Sequence, residues 1–136
     1  MRWVPPEQWH VTLRFLGEAN EDAAARALEA LRATPARAVL GPRVSRLGRD
    51  VVCLPVAGLD ALAAAVAEAT AAVGEPPDRR FSGHLTLARL RRRAACGVTG
   101  TAFRATFTVD HVALVRSTLA TSGARHEVVH RVALDG

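Results

Sequence analysis

The sequence predicts an α+β fold with mainly antiparallel sheet, and three observations predict it. Two heptapeptides, WHVTLRF at 9–15 and GHLTLAR at 83–89, alternate polar and apolar residues as half-buried strands do. Two alanine- and leucine-rich stretches repeat their apolar residues at helical spacing. Paired β-preferring runs flank short turns, as hairpins do.

Taken in order, His10, Thr12 and Arg14 project to one side of the first strand, and Val11, Leu13 and Phe15 to the other. Gly17 ends it. Asn20 is a helix cap, with Glu21 and Asp22 favourable in the first turn. Ala24, Leu28 and Leu31 form that helix's apolar stripe, and Pro35 stops the run. RVSRLGRDVVCLPV then reads as a hairpin turning at Gly48-Arg49-Asp50. Asp60 caps a second helix with the stripe Leu62, Val66, Ala69 and Val73, terminated by Gly74-Glu75-Pro76-Pro77. The second motif strand follows at 83–89. FRATFTVDHVALVRS and RHEVVHRVAL, joined by LATSG, give a last hairpin. The order reads as two similar halves, each with one His-x-Thr strand.

The bulk numbers narrow the function. A chain of 136 residues with 49% apolar content suits one domain with a modest core. The longest apolar candidate, ALAAAVAEATAAV, is alanine-dominated and carries Glu68, so no membrane span or membrane partner is expected. MRWVPPEQ has no apolar leader core, which makes the cytoplasm the expected location. All 18 basic residues are arginine, and the net charge is +5. Arginine stays charged and grips phosphate with parallel donors, so anionic partners are favoured. The densest basic stretch is LARLRRR, 87–93. Cys53 and Cys96 lack metal or redox spacing and are expected to be reduced and structural. With no phosphate-loop, EF-hand or H-E-x-x-H pattern, neither metal nor nucleotide cofactor is expected. A monomer is expected.

The chemistry lies in the repeated His-x-Thr-Leu. Strand positions i and i+2 share a face, so His10 projects with Thr12, and His84 with Thr86. Chance gives two of five histidines this pattern on the order of once in a thousand such sequences. Two imidazoles and two hydroxyls converging on an anion suit phosphodiester cleavage. One neutral histidine takes a proton from the attacking group, and the other, protonated, donates to the leaving oxygen. The threonines donate to non-bridging oxygens as the transition state forms. His111, His126 and His130 do not share the pattern. The last two are four apart, a metal spacing only on a helix, and their segment alternates like a strand.

At these residues the chain resembles the two-histidine (2H) phosphoesterases, and most nearly the RNA 2',3'-cyclic phosphodiesterase (2'-5' RNA ligase, LigT-like) branch. RWVPPEQWHVTLRFLGE resembles its first motif block. FSGHLTLAR resembles its second, with Ser82-Gly83 where a basic residue and proline are common. FTVDHVALVRSTLATSGARHEVV resembles its C-terminal block, with His126 where a tyrosine is usual. The resemblance runs from residue 2 to about 134. It implies one domain, 1–136, of two pseudo-symmetric lobes, with a central cleft and helices outside. It implies metal-independent hydrolysis of a terminal 2',3'-cyclic phosphate on RNA to a 2'-phosphate, with 2'-5' joining as the reverse reaction. It places His10 as acid and His84 as base, with Thr12 and Thr86 on the phosphate and Arg14, Arg89 and Arg116 as further phosphate ligands. The partners it implies are RNA ends or small cyclic nucleotides. Two alternatives stand beside it: action on 2'-5' oligonucleotides or small cyclic phosphates, and an RNA-binding module with impaired catalysis. Family members usually carry a further strand and helix before the first motif, so a sheet edge left uncovered is expected here.

Overall fold

Alternation along one strand organises the first part of the molecule. The structure, a computed structural model, describes residues 2–91, 97–120 and 123–135. In β4 (Val51–Ala57), Val52, Leu54 and Val56 are all buried, at 0%, 5% and 5% exposure. Antiparallel neighbours extend the same apolar face. β5 (His84–Arg89) adds Leu85 and Ala88 opposite Leu54 and Val52, and β2 (Ala36–Leu40) adds Leu40 opposite Val56. Fully burying such a side chain is worth ~1.5–3 kcal/mol, which fixes the register, since a slip of one residue would turn the whole row outward.

These strands belong to a six-stranded sheet, completed by β1 (Arg2–Trp3), β3 (Ser45–Leu47) and β6 (Ala105–Val109). The path is β1-β5-β4-β2-β6, with β3 on β4 beyond the end of β2. The turn 48–50 closes the β3–β4 hairpin, as expected. β1 and β2 were not expected. ARAVL is a short run wedged between Pro35 and Gly41-Pro42, and RW is only two residues long.

The chain forms two compact units that do not follow its halves. The first gathers Met1–Leu13, Arg37–Asp60 and Phe81–Thr108; the second gathers Arg14–Ala36, Ala61–Arg80 and Val109–Gly136. The first contains nearly all of the six-stranded sheet. The second holds helix α1 (Glu21–Glu29), helix α2 (Asp60–Ala69, after its first residue) and the antiparallel hairpin of β7 (His111–Ala120) and β8 (Gly123–Ala133). The elements are those of an α+β fold with antiparallel sheet.

Both helices begin where expected. The Asn20 side chain accepts a hydrogen bond from Ala23 N at 3.0 Å, and Ala24, Leu28 and Leu31 are buried. Leu31 lies just past the helix. In α2, Leu62, Ala63 and Val66 are buried. Its end is closed by a residue the alternation placed elsewhere. The Arg14 guanidinium donates to the carbonyls of Thr70, Val73 and Glu75 and, at 2.5 Å, to Thr70 Oγ1. It thereby satisfies the Thr70 carbonyl just past the helix and two carbonyls of the turn that follows, and its charge suits the negative end of the helix dipole. Gly74, at φ +73°, makes the same turn; a Cβ there would lie 2.5 Å from Leu16 O.

Residues 10–15 are not the expected ladder strand: among the described residues no strand pairs with them. Alternation holds as far as Leu13, with His10 and Thr12 exposed and Val11 and Leu13 half-buried. The chain bends there. Arg14 turns inward toward the end of α2, and Phe15 is 75% exposed. Arg14 therefore does not share the face of His10.

On the hairpin of the second unit, Val129 is an extra residue between the pairs Leu114↔His130 and Val115↔Val128. It puts His126 and His130 on opposite faces. His130 Nε2 meets Glu29 at 2.5 Å, and His126 Nδ1 meets Ser117 Oγ at 2.9 Å. On the His130 face, Arg116 binds Glu21 of α1 and Glu127 of β8, with Nη2–Oε2 at 2.7 Å and Nη1–Oε2 at 3.1 Å.

Two outcomes are expected. Arg14→Ala orphans the carbonyls of Thr70, Val73 and Glu75 that follow α2 and should cost about 2–3 kcal/mol, read as a lower urea midpoint, because hydrogen bonds from a charged donor are each worth ~1.5–3 kcal/mol. Arg14→Lys should recover only part, lacking the fork. Separately, the Arg116 guanidinium, through its hydrogen bond and then its charge, holds the Glu21 carboxyl below the usual carboxylate range. A lowered folded-state pKa contributes stability above the unfolded value and loses it as pH falls through the folded one. Arg116→Gln should thus be slightly less stable than the unaltered protein at pH 7, and the two should converge in strong acid; an unchanged gap would refute the pairing.

Candidate active site

The second motif sits on β5, where residue spacing alone misplaces one side chain. Register gives His84 opposite Pro55, Leu85 opposite Leu54, and Thr86 opposite Cys53. The ladder then skips Leu87 and resumes with Ala88 opposite Val52 and Arg89 opposite Val51. Leu87 is a β-bulge, so the alternation shifts by one past it. His84, Thr86 and Arg89 consequently share one face, over Pro55, Cys53 and Val51 of β4. Leu85 and Ala88 take the opposite, buried face. An unbroken strand would have put Arg89 with Leu85 and Leu87. Cys53 is buried at 4% exposure, and desolvation pushes its thiol pKa up, which makes it part of the floor and a poor nucleophile. Cys96 lies outside the described residues.

Both motif histidines are anchored the same way. His84 Nδ1 lies 2.8 Å from Ser82 O, and His10 Nδ1 lies 2.8 Å from Gln8 O. A carbonyl only accepts, so each ring donates from Nδ1. Local backbone supplies both carbonyls. Gln8 ends a 3-10 turn at Pro6–Gln8, entered through Pro5-Pro6, whose fixed φ suits a helix start. Ser82 precedes Gly83, whose carbonyl accepts from Val56 N at 2.9 Å; a Cβ on Gly83 would lie 2.3 Å from Val56 O. Only glycine lets the strand carrying His84 approach β4 this closely.

Short bonds tie the first motif to the second. Val4 N donates to Leu87 O at 2.8 Å, and Trp9 Nε1 donates to Val4 O at 2.9 Å. Residues leading into His10 are thus fixed to the strand that bears His84 and Thr86. All four motif residues, His10, Thr12, His84 and Thr86, fall in the first unit.

The arginines sort differently. Arg89 is exposed and on the His84 face. Arg14 and Arg116 lie in the second unit, where Arg14 binds carbonyls of the turn after α2 and Arg116 binds two carboxylates. The phosphate role expected of those two does not follow from their placement. Arg91 is exposed; Arg92 and Arg93 lie outside the described residues. The Arg2–Arg89 pairing and the carbonyl anchors of Gln8 and Ser82 escaped sequence reasoning. Only the hidden bulge and local backbone geometry create them. Among the described residues, no group of three or more His, Cys, Asp or Glu side chains is placed to hold a metal ion, and no helix is long and apolar enough to cross a membrane.

Comparison with known proteins accords with this geometry. A family model of the 2'-5' RNA ligase superfamily matches residues 2–120. No curated protein matches the sequence. Among solved structures, a phosphoesterase is 27% identical at a TM-score of 0.82, over 99% of this chain and 82% of its own. A protein of Thermus thermophilus is 32% identical at 0.76, over 99% and 82%. LigT of E. coli, complexed with 3'-AMP, is 27% identical at 0.76, over 98% and 80%. The family implies phosphoesterase activity. Its paired His-x-Thr motifs, its fold and a match over nearly its whole length make this chain a member of the 2'-5' RNA ligase superfamily, the 2H phosphoesterases.

Proposed function

We propose that the protein hydrolyses a 2',3'-cyclic phosphate at the end of RNA, leaving a 2'-phosphate. The observation that carries this reading is the matched anchoring of His10 and His84, each donating from Nδ1 to the carbonyl two residues before it. Each ring then works through Nε2, one as base and one as acid. In the forward direction, His84 takes a proton from water as its oxygen attacks phosphorus. The bond from phosphorus to the 3' oxygen breaks, and protonated His10 delivers its proton to that oxygen. Thr12 and Thr86 donate to the non-bridging oxygens, where charge builds in the transition state. Solved complexes of E. coli LigT with 3'-AMP, phosphate, ATP and NADP+ support a phosphate-bearing nucleotide as the ligand class.

His10→Ala and His84→Ala should each lower kcat by ~10²-fold or more on RNA ending in a 2',3'-cyclic phosphate. Thr12→Ala and Thr86→Ala should cost less, since a neutral hydroxyl bond contributes ~0.5–1.5 kcal/mol net. Wild-type turnover in both histidine variants would reduce the motif to packing.

The pH profile of kcat/KM should be a bell, because one histidine must be neutral while the other is protonated. Turnover should survive EDTA. Loss on chelation, restored by Mg²⁺ or Zn²⁺, would overturn the two-histidine mechanism.

A further inference from the structure

We infer that Arg43 and Arg104 form a distal subsite for single-stranded RNA, which holds the sugar-phosphate backbone upstream of the reacting end and makes the protein favour longer chains. This rests on the function proposed above and names its substrate class more closely.

Charge is divided unevenly between the two units. The first holds ten arginines and three carboxylate side chains, Glu7, Asp50 and Asp60; the second holds eight arginines and ten carboxylates. A polyanion is therefore drawn to the unit that carries His10 and His84. Within that unit Arg104 is exposed, and among the described residues no hydrogen bond or ion pair engages it. Arg43 is exposed as well. Its Nη1 donates to Gly100 O at 3.1 Å, which steadies the guanidinium and leaves its charge without a counter-ion. Arg43 bridges to Ala102 of the neighbouring segment, so Arg104, two residues on, is its diagonal neighbour. Long side chains on diagonal positions reach a common ligand. A hollow of about 360 Å³ opens here, lined by Pro42, Arg43, Ala102, Phe103 and Arg104. Phe103 is 47% exposed. Arginine charge beside an exposed aromatic surface is the combination that binds single-stranded nucleic acid.

A row of main-chain neighbours links this pair to the second motif. His84 lies opposite Pro55, Gly41 N donates to Pro55 O at 2.9 Å, and a Cβ on Gly41 would lie 3.4 Å from Arg104 Cα. Three strand spacings therefore separate Arg104 from His84, about 14 Å. The face is the same. Ala38 and Leu40 of β2 are buried, so Arg37 projects to the other side, where it donates to Thr106 Oγ1 at 3.4 Å. Arg104, two residues before Thr106, stands on that side too. Leu40 opposes Val56 in the buried row that also holds Leu54 and Leu85, so the opposite side is the one that bears His84. A cyclic phosphate occupies the 3' end of its chain, so every further phosphate lies upstream. RNA laid across this row reaches Arg43 and Arg104 with an upstream phosphate. A cyclic mononucleotide has none and leaves the pair idle.

The test compares a 2',3'-cyclic mononucleotide with a pentanucleotide ending in the same group, using the unaltered protein, Arg43→Gln, Arg104→Gln and the double variant. The unaltered protein should prefer the pentanucleotide in kcat/KM, and added salt should erode that preference. The double variant should lower the pentanucleotide-to-mononucleotide ratio about tenfold, chiefly through KM, and flatten its salt dependence. Neutral methylphosphonates, placed one at a time along the pentanucleotide, should reproduce that loss at an upstream position in the unaltered protein and cost nothing further there in the double variant. Equal kcat/KM on the two substrates, or a ratio that the substitutions leave unchanged, overturns the subsite. Proportionate loss on both substrates does so too, since it places the arginines in the fold. If neither substrate is turned over by the unaltered protein, the function proposed above fails instead. Binding then decides the subsite: a 3'-phosphorylated pentanucleotide should bind more tightly than a nucleoside 3'-phosphate, and the double variant should remove most of the difference. An undiminished difference overturns the subsite.

Discussion

The pairing of β4 with β5 is the constraint on which the rest of this structure depends. Its apolar side carries Val52, Leu54, Val56, Leu85 and Ala88, and hiding that row from water leaves the ladder a single register. Once register is set, the other face follows. His84 stands over Pro55 and Thr86 over Cys53, and the Ser82 carbonyl then orients the His84 ring. The bulge at Leu87 then changes the phase without disturbing the core, because Ala88 resumes the buried row where an unbroken strand would have put Leu87. The extra residue is absorbed in the backbone, and its consequence appears one position later, at Arg89.

Charge is distributed by the same logic of partners. A net charge of +5 suggests a uniformly cationic surface, yet the arginines have separate tasks. Arg14 closes a helix, and Arg116 fastens α1 to the terminal hairpin through Glu21 and Glu127. Those two positive charges are offset by carbonyls after α2 or by carboxylates inside the second unit. Arg2 and Arg89 stand opposed in the first, on the face that carries His84 and Thr86.

Much of this was legible in the sequence. Asn20 caps its helix, the β3–β4 hairpin turns at 48–50, Ala24, Leu28 and Leu31 are buried, and the second stripe is buried at Leu62 and Val66 but only half-buried at Ala69 and at Val73, which lies past the helix. The motif pairs stood out through repetition. What alternation missed, it missed wherever the backbone breaks phase. The bend at Leu13 sends Arg14 inward, the bulge at Leu87 brings Arg89 to the other face, and the bulge at Val129 separates His126 from His130. No side chain announces any of the three. β2 was overlooked for another reason: it is held by its pairing with β4, and five residues between prolines carry little signal of their own.

The anchoring of the two imidazoles by main-chain oxygen has an evolutionary side. Ring orientation in many sites depends on a carboxylate, and one substitution there removes it. Here the acceptors are the carbonyls of Gln8 and Ser82, which every amino acid possesses. Those two positions already hold unrelated side chains in the two motifs while doing the same work. A change of either side chain leaves the acceptor in place as long as the bend before each histidine is kept, so ring orientation depends on the residues that shape the backbone: Pro5 and Pro6 before one histidine, Gly83 before the other.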